Sequence, residues 1–355
     1  MEIIGPYSFE VGLYRPPSEG GSHSLLLRFT RNCPWNKCTF CDMYKQEKFS
    51  LRSVEEIKGD INSIAGLCME MQEVARDLGH VGVINRDVVY RMIKKYPSSN
   101  TSNGFVMILN WISSGAKTAF LQDGNSLIMR ADNLVEVLHY LRYTFPSIER
   151  VTTYARSKTL FRKTQEELNR IRKGGLDRLH VGLESGDGEV LKMTKKGVTP
   201  EEHIDGGQKA MKAGFQLSEY WMPGLGGKER WSNHARHTAH VLKDINPHYI
   251  RTRPFRPSPR SPIYDEYERG ELTLLNPEEQ LEELKLMVQE LDVTSKLCFD
   301  HAYNYWADKD GQLLFNQSYE GYQMPEKKEE VLEIIEKGII ANKGRSEYGY
   351  IEMFL

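Results

Sequence analysis

Apolar and polar positions follow two rhythms along this chain. Leu25-Leu26-Leu27-Arg28-Phe29 is a short apolar run, the pattern of a buried strand, and it leads straight into a cysteine-bearing loop. From 54 to 78 the apolar residues recur at helical spacing, and Ser53 with Glu56 three positions later forms a capping-box signature. Helical spacing returns near 85–96 and 103–114, on either side of the turn-like Pro97-Ser98-Ser99-Asn100. Strands and helices then alternate. Strands are predicted over 117–121, 150–154, 178–183, 215–221 and 248–252, with helices near 130–144, 163–173, 200–213 and 229–243. The Pro- and Arg-rich stretch 254–275 predicts irregular chain, followed by a helix over 277–292, an aromatic segment from Cys298 to Trp306 and a charged helix over 326–341.

Six strands separated by helices predict an α/β fold with a parallel sheet and right-handed crossovers. Polar or Gly-rich residues follow most of the strands, as they do at the functional rim of α/β barrels. The expected architecture is a partial (β/α)6 barrel with a helical insertion after the first strand and a C-terminal helical extension. Its parts are a lead-in over 1–24 with a flexible Glu19-Gly20-Gly21-Ser22, a core over 25–255 carrying the insertion at about 53–115, and an extension over 256–355 covering the substrate side.

Composition narrows the function. With 39% hydrophobic and 27% charged residues the chain is an ordinary globular one, and a net charge of −2 gives no global basic field for nucleic acid. No apolar run reaches the ~20 residues that span a bilayer, and the N-terminus has acidic residues and prolines where a secretory signal would be basic and then apolar. The expected location is cytoplasmic, with no membrane partner.

Of five cysteines, Cys33, Cys38 and Cys41 fall together, while Cys68 and Cys298 stand apart. Clustered cysteines in a cytosolic chain point to metal or redox chemistry rather than a disulfide framework. Thiolates suit iron–sulfur clusters and zinc. Three ligands on a four-iron cluster leave one iron open for a small molecule, whereas structural zinc wants four ligands. A zinc knob or a merely reduced thiol cluster is the bland alternative.

The loop resembles the radical SAM superfamily, whose members carry three clustered cysteines after the first barrel strand and an aromatic residue, here Phe40, before the third. The usual gaps are three residues and then two; here they are four and then two. Gln122-Asp123-Gly124-Asn125 after the second strand resembles the variant of the SAM amino-group motif in the coproporphyrinogen oxidase-like and elongator catalytic subunit-like subgroup. His180-Val-Gly-Leu-Glu184-Ser185-Gly, followed by Lys195-Lys196-Gly197, resembles that subgroup too. The resemblance implies a SAM contact at Glu184 and a carboxylate-binding cation at Lys196. It extends to Glu219 and to Gly224 in Pro223-Gly-Leu-Gly-Gly, which in the superfamily packs against adenine. Arg156 lies at the predicted rim as a carboxylate partner or a structural ion pair. Asp-Gly is also an ordinary turn, Lys196 also an ordinary surface lysine, and the glycine run also an ordinary βα loop.

What the resemblance implies is an enzyme holding a [4Fe-4S] cluster on Cys33, Cys38 and Cys41 and cleaving S-adenosylmethionine reductively to a 5′-deoxyadenosyl radical. That radical abstracts hydrogen from a small-molecule substrate, with flavodoxin or ferredoxin as electron donor. The alternatives are a zinc- or cluster-binding regulatory or electron-transfer protein, and a tRNA-modifying radical SAM enzyme, ranked lower for want of a basic charge. Arg251, Arg253, Arg256 and Arg260 are candidates for an anionic substrate or for a rigid surface loop, and the roles of Cys68, Cys298 and His301 stay open.

Overall fold

The two rhythms are present in the computed structural model, which describes residues 1–12, 15–16, 23–301, 303–304 and 306–344. The stretch Glu19 to Ser22, two residues of the aromatic segment and the end of the predicted extension lie outside the described residues. In chain order the elements are β1 (Glu2–Ile4), β2 (Tyr7–Phe9), β3 (Ser24–Arg28), β4 (Thr30–Arg31), β5 (Ser50–Leu51), α1 (Val54–Asp77), α2 (Arg86–Lys95), α3 (Asn103–Ser113), β6 (Thr118–Gln122), α4 (Ala131–Thr144), β7 (Arg150–Ala155), α5 (Ser157–Arg162), α6 (Gln165–Lys173) and β8 (Arg178–Glu184). They continue with α7 (Gly188–Met193), α8 (Pro200–Lys212), β9 (Gln216–Trp221), α9 (Gly227–Ile245), β10 (Tyr249–Thr252), α10 (Ile263–Glu268), α11 (Pro277–Glu290), β11 (Lys296–Cys298), β12 (Tyr322–Gln323) and α12 (Lys328–Asn342).

The chain forms two compact units. The first comprises Met1–Pro34, Lys48–Ala155 and Gln165–Leu179; the second comprises Trp35–Glu47, Arg156–Thr164 and His180–Leu355.

In the first unit β3, β6 and β7 run parallel, with Leu26 opposite Phe120 and Phe120 opposite Thr152. The buried helix α1 explains the helical insertion. Its N-terminus has the predicted box, Ser53 accepting from the Glu56 N–H and Glu56 accepting from the Ser53 N–H. Ile57, Ile61, Ile64, Leu67 and Met71 recur at three- and four-residue steps and are fully buried.

In the second unit β9, β10 and β11 are parallel, with Ile250 between Glu219 and Leu297, and β12 adds antiparallel to β11. The helix α11 opens with a second capping box, Asn276 with Glu279, and has Pro277 at its first position. It packs against α9 and α12.

The fold is therefore α/β with an open set of parallel strands, as expected. The additions are all short. The lead-in forms a hairpin of two three-residue strands, and α10 interrupts the stretch expected to be irregular. With α5, α7, β11 and β12, these elements are too brief to carry a readable period. No helix among the described residues is long and apolar enough to cross a membrane.

Candidate functional site

In the first unit, β3 and β6 bring Arg28 and Asp123 together, Nε to Oδ2, at 2.5 Å. Arg28 also donates to Asn32 Oδ1 at 3.0 Å, and Asn32 donates from Nδ2 to the Lys48 carbonyl at 2.7 Å. Asn32 and Asp123 both hold the left-handed backbone region, at φ 68° and 70°. These unusual conformations sit at the two turns flanking Cys33, and their strain is held by the surrounding hydrogen bonds. The Gly124 N–H donates to the Asn32 carbonyl at 3.3 Å, and a Cβ at Gly124 would stand 3.3 Å from Cys33 Sγ. Glycine thus lets the β6 turn approach the first cysteine. The buried Gln122 is engaged otherwise: its amide both donates to and accepts from the backbone of Gly12, at 2.9 and 2.7 Å. Asn125 is also fully buried.

In the second unit the loop 35–47 carries Cys38 and Cys41. Lys45 Nζ donates to the Cys38 carbonyl at 2.7 Å, and the Thr39 N–H donates to the Thr194 carbonyl at 2.9 Å. Phe40 packs against the core formed by Val190, Met222, Leu225, Phe255, Ile263 and Leu272. Its ring also lies 5.7 Å from Lys196 Nζ. Lys196 in turn pairs with Glu184 at 2.9 Å, both side chains nearly buried. Gly182 makes room for the pair, because a Cβ there would come within 2.1 Å of Glu184 Oε1. Glu184 is itself at φ 64°. Ser185 accepts from the Asp187 N–H and so shapes the turn that follows. Arg156 donates to the Lys196 carbonyl at 3.1 Å.

Glu219 is 1% exposed, and its Oε2 has no hydrogen-bond partner among the described residues. Burial drives its carboxyl well above the usual carboxylate range; Lys196 opposes this and Glu184 adds to it. The folded state therefore holds a proton that the unfolded chain releases near the ordinary value of 4.5. The stability from this site is full below that value and is lost as pH rises towards the raised one. Glu219→Gln is expected to flatten this decline and to be more stable than wild type above neutral pH, which thermal unfolding across a pH series would test. Equal pH dependence in the two proteins would refute the assignment.

Gly224 is held by residues the sequence reading missed. Its N–H donates to Glu283 Oε2 at 2.5 Å, and Glu283 Oε1 lies 2.6 Å from His234 Nδ1. His234 Nε2 lies 3.4 Å from the Glu184 carbonyl oxygen. This fully buried dyad from α9 and α11 therefore touches two of the predicted positions. Its members are 49 residues apart, and one of three His in α9 and one Glu among many in α11 gave no signal. Removing Glu283 as Ala leaves a buried imidazole and a buried amide unpaired, for an expected loss of about 3–5 kcal/mol in denaturant unfolding. A loss within error of zero would count against the dyad. His203 was missed as well. It is fully buried, both ring nitrogens lack hydrogen-bond partners among the described residues, and burial followed by Lys196 and Arg156 holds it neutral.

Among the described residues, which include all five cysteines, no group of three or more His, Cys, Asp or Glu side chains is arranged to hold a metal ion. Cys33, Cys38 and Cys41 are half-buried and none of them is in a disulfide. Burial pushes the Cys68 and Cys298 thiols up to about 12 and takes His301 down to about 3.

Residues 105–232 match the Radical SAM superfamily, a stretch that begins after the cysteine loop. The tRNA uridine(34) acetyltransferase of Methanocaldococcus infernus (strain DSM 11812 / JCM 15783 / ME) is 26% identical over 129 residues, 34% of this chain and 22% of that protein. The solved archaeal Methanocaldococcus infernus Elp3 lacking residues 1–46 aligns with a TM-score of 0.45 at 16% identity, over 71% of this chain and 60% of that one. Coproporphyrinogen III oxidase (HemN) from Escherichia coli aligns with a TM-score of 0.40 at 14% identity, over 49% and 39%. The chain thus spans less than two thirds of the length of each of these relatives.

Proposed function

We propose, from the match of residues 105–232 to the Radical SAM superfamily, that the chain is an enzyme that holds a [4Fe-4S] cluster on Cys33, Cys38 and Cys41 and binds S-adenosylmethionine beside it. When bound, that pair supplies a 5′-deoxyadenosyl radical for hydrogen abstraction from a small-molecule substrate. The superfamily match is the observation that carries the reading.

The residues present suit both groups. Soft thiols on a single loop are the donor set of an iron–sulfur cluster, and Gly124 leaves space beside the first of them. The buried Glu219 with its unpaired oxygen offers an acceptor for an ammonium or hydroxyl group. Lys196 offers a cation for a carboxylate, with Glu184 opposing it until a ligand arrives. Asp123, Asn125, Ser185, Arg156 and Gly224 would shape the surrounding walls, while Gln122 would act by fixing the β6 turn to Gly12. Phe40 would shield the loop from water by its packing on the core.

A tRNA substrate is the second reading, favoured by the likeness to the tRNA uridine(34) acetyltransferase. Anaerobic reconstitution with iron and sulfide, followed by SAM and dithionite, tests the main proposal. The expected product is 5′-deoxyadenosine, read by mass spectrometry with small-molecule extract or tRNA supplied in parallel. A purified chain holding about one zinc and no iron, or one fully loaded that leaves SAM intact with either supplement, would refute it.

A further inference from the structure

Lys196 lies three residues past the end of α7, in the second unit. Its N–H donates to the Leu191 carbonyl at 2.9 Å, and the Lys195 N–H donates to the Lys192 carbonyl at 3.0 Å. The residues on either side of it, Lys195 and Gly197, both hold the left-handed backbone region, at φ 51° and 73°. That conformation is costly for Lys195, so the surroundings must hold it. Two peptide planes flank the Lys196 Cα, and the carbonyl of each is engaged. The Trp35 indole N–H donates to the Lys195 carbonyl at 2.8 Å, and Arg156 Nη2 donates to the Lys196 carbonyl at 3.1 Å. The same indole covers Gly197, where a Cβ would come within 2.3 Å of the ring, and Arg156 Cζ lies 5.0 Å from the ring. Trp35 thus fixes one plane directly, supports the donor that fixes the other, and fills the face that glycine leaves open. With both planes fixed, the Cα–Cβ direction of Lys196 is fixed too, and with it the approach of its ammonium to Glu184 at 2.9 Å.

Hydrophobic burial does not account for Trp35. Its ring is only half-buried, while its N–H and its face meet the two planes around one lysine. The cysteine-bearing half of the same loop is anchored separately. The Thr39 N–H donates to the Thr194 carbonyl at 2.9 Å, and the Ile263 N–H donates to the Thr39 carbonyl at 3.0 Å. Lys45 Nζ donates to the carbonyls of Asn36 and Cys38, at 2.9 and 2.7 Å. Removing the indole therefore leaves Cys38 and Cys41 their own supports, and its effect falls on Lys196.

We propose that Trp35 is a positioning residue for SAM, which acts through the two peptide planes around Lys196 and holds its ammonium where the SAM carboxylate is met. The inference rests on the radical SAM reading and on Lys196 as the carboxylate partner. It adds a role for the four-residue first cysteine gap, which contains Trp35. A freely turning lysine would have to be ordered by the ligand at the ligand's expense in affinity; a lysine aimed in advance spares that cost.

The test is a pair of double-mutant cycles on the full chain, built from Trp35→Phe, Trp35→Ala and Lys196→Met. Anaerobic calorimetry of SAM on the cluster-loaded protein reads the first cycle. Trp35→Phe keeps a ring and loses the N–H, and is expected to raise Kd about threefold; Trp35→Ala loses both and should raise it about tenfold. In the Lys196→Met background each substitution should change Kd by less than about twofold, a dependence that a merely structural tryptophan would not show. Both Trp35 variants should keep wild-type iron content after reconstitution, and Trp35→Phe covers any folding defect of Trp35→Ala. Thermal unfolding without ligand reads the second cycle. Lys196→Met should lower Tm less in the Trp35→Ala chain than in the wild type, because the pair with Glu184 is already loosened there. Equal fold-losses in both backgrounds, unchanged SAM affinity in Trp35→Ala, or iron lost from Trp35→Phe would each overturn the proposal. A cluster-loaded wild type that neither binds nor cleaves SAM would sink the radical SAM reading instead. The ligand-free cycle then decides whether Trp35 positions Lys196, and additive losses in Tm would overturn that as well.

Discussion

Cys38→Ala is expected to lower iron content to background after anaerobic reconstitution and to reduce 5′-deoxyadenosine formation at least ~100-fold, since even outer-shell changes at metal sites cost 10–100-fold. A site of three thiolates has no spare ligand, so removing one leaves two, too few to hold a four-iron cluster on this loop. Cys68→Ala and Cys298→Ala are the controls. Both thiols are pushed up to about 12 by burial, which disfavours the thiolate that a metal needs. Each variant should keep its iron. Iron and sulfide assays beside the cluster's visible absorption would decide, and iron retained by Cys38→Ala, or lost from Cys68→Ala, would overturn the ligand assignment.

Elements with repeated period were legible in the sequence because burial imposes that period over many turns. The helix α1 could be read from Ser53, Glu56 and the apolar stripe, and α11 from its spacing, within two residues of their observed ends. The short α5 and α7 and the hairpin β1–β2 were not legible, because their turns or strands contribute only one or two buried side chains each. The candidate site divides in the same way. Loop residues announced themselves by type: three cysteines, an aromatic beside the third, and glycines after strands. What each polar side chain would touch depended on distant partners. Nothing near Gln122 shows that its amide faces Gly12, 110 positions earlier. Nothing near Gly224 points to Glu283, and nothing near Arg156 points to the Trp35 ring. Local pattern finds positions; long-range pairing decides their state.

Lys196→Met is expected to cost about 3 kcal/mol of stability, the lower end for breaking a buried pair, because each partner keeps a little exposure. In a chain of this size that is a fall of roughly 5–10 °C in Tm. The loss arises less from the missing contact than from Glu184, left without its cation in a nearly closed setting. Glu184→Gln/Lys196→Met removes both charges and should recover most of the stability. The same double variant should not recover ligand affinity. If Lys196 turns from Glu184 to a SAM carboxylate, each variant lacking it loses a charge-assisted hydrogen bond, or about 10- to 100-fold in Kd. Stability and affinity thus separate within one cycle of four proteins. Thermal unfolding would report the first, and anaerobic calorimetry of SAM on the cluster-loaded protein the second. Wild-type SAM affinity in the double variant would reduce Lys196 to a structural partner of Glu184, whereas restored stability with weak binding would place it against the ligand.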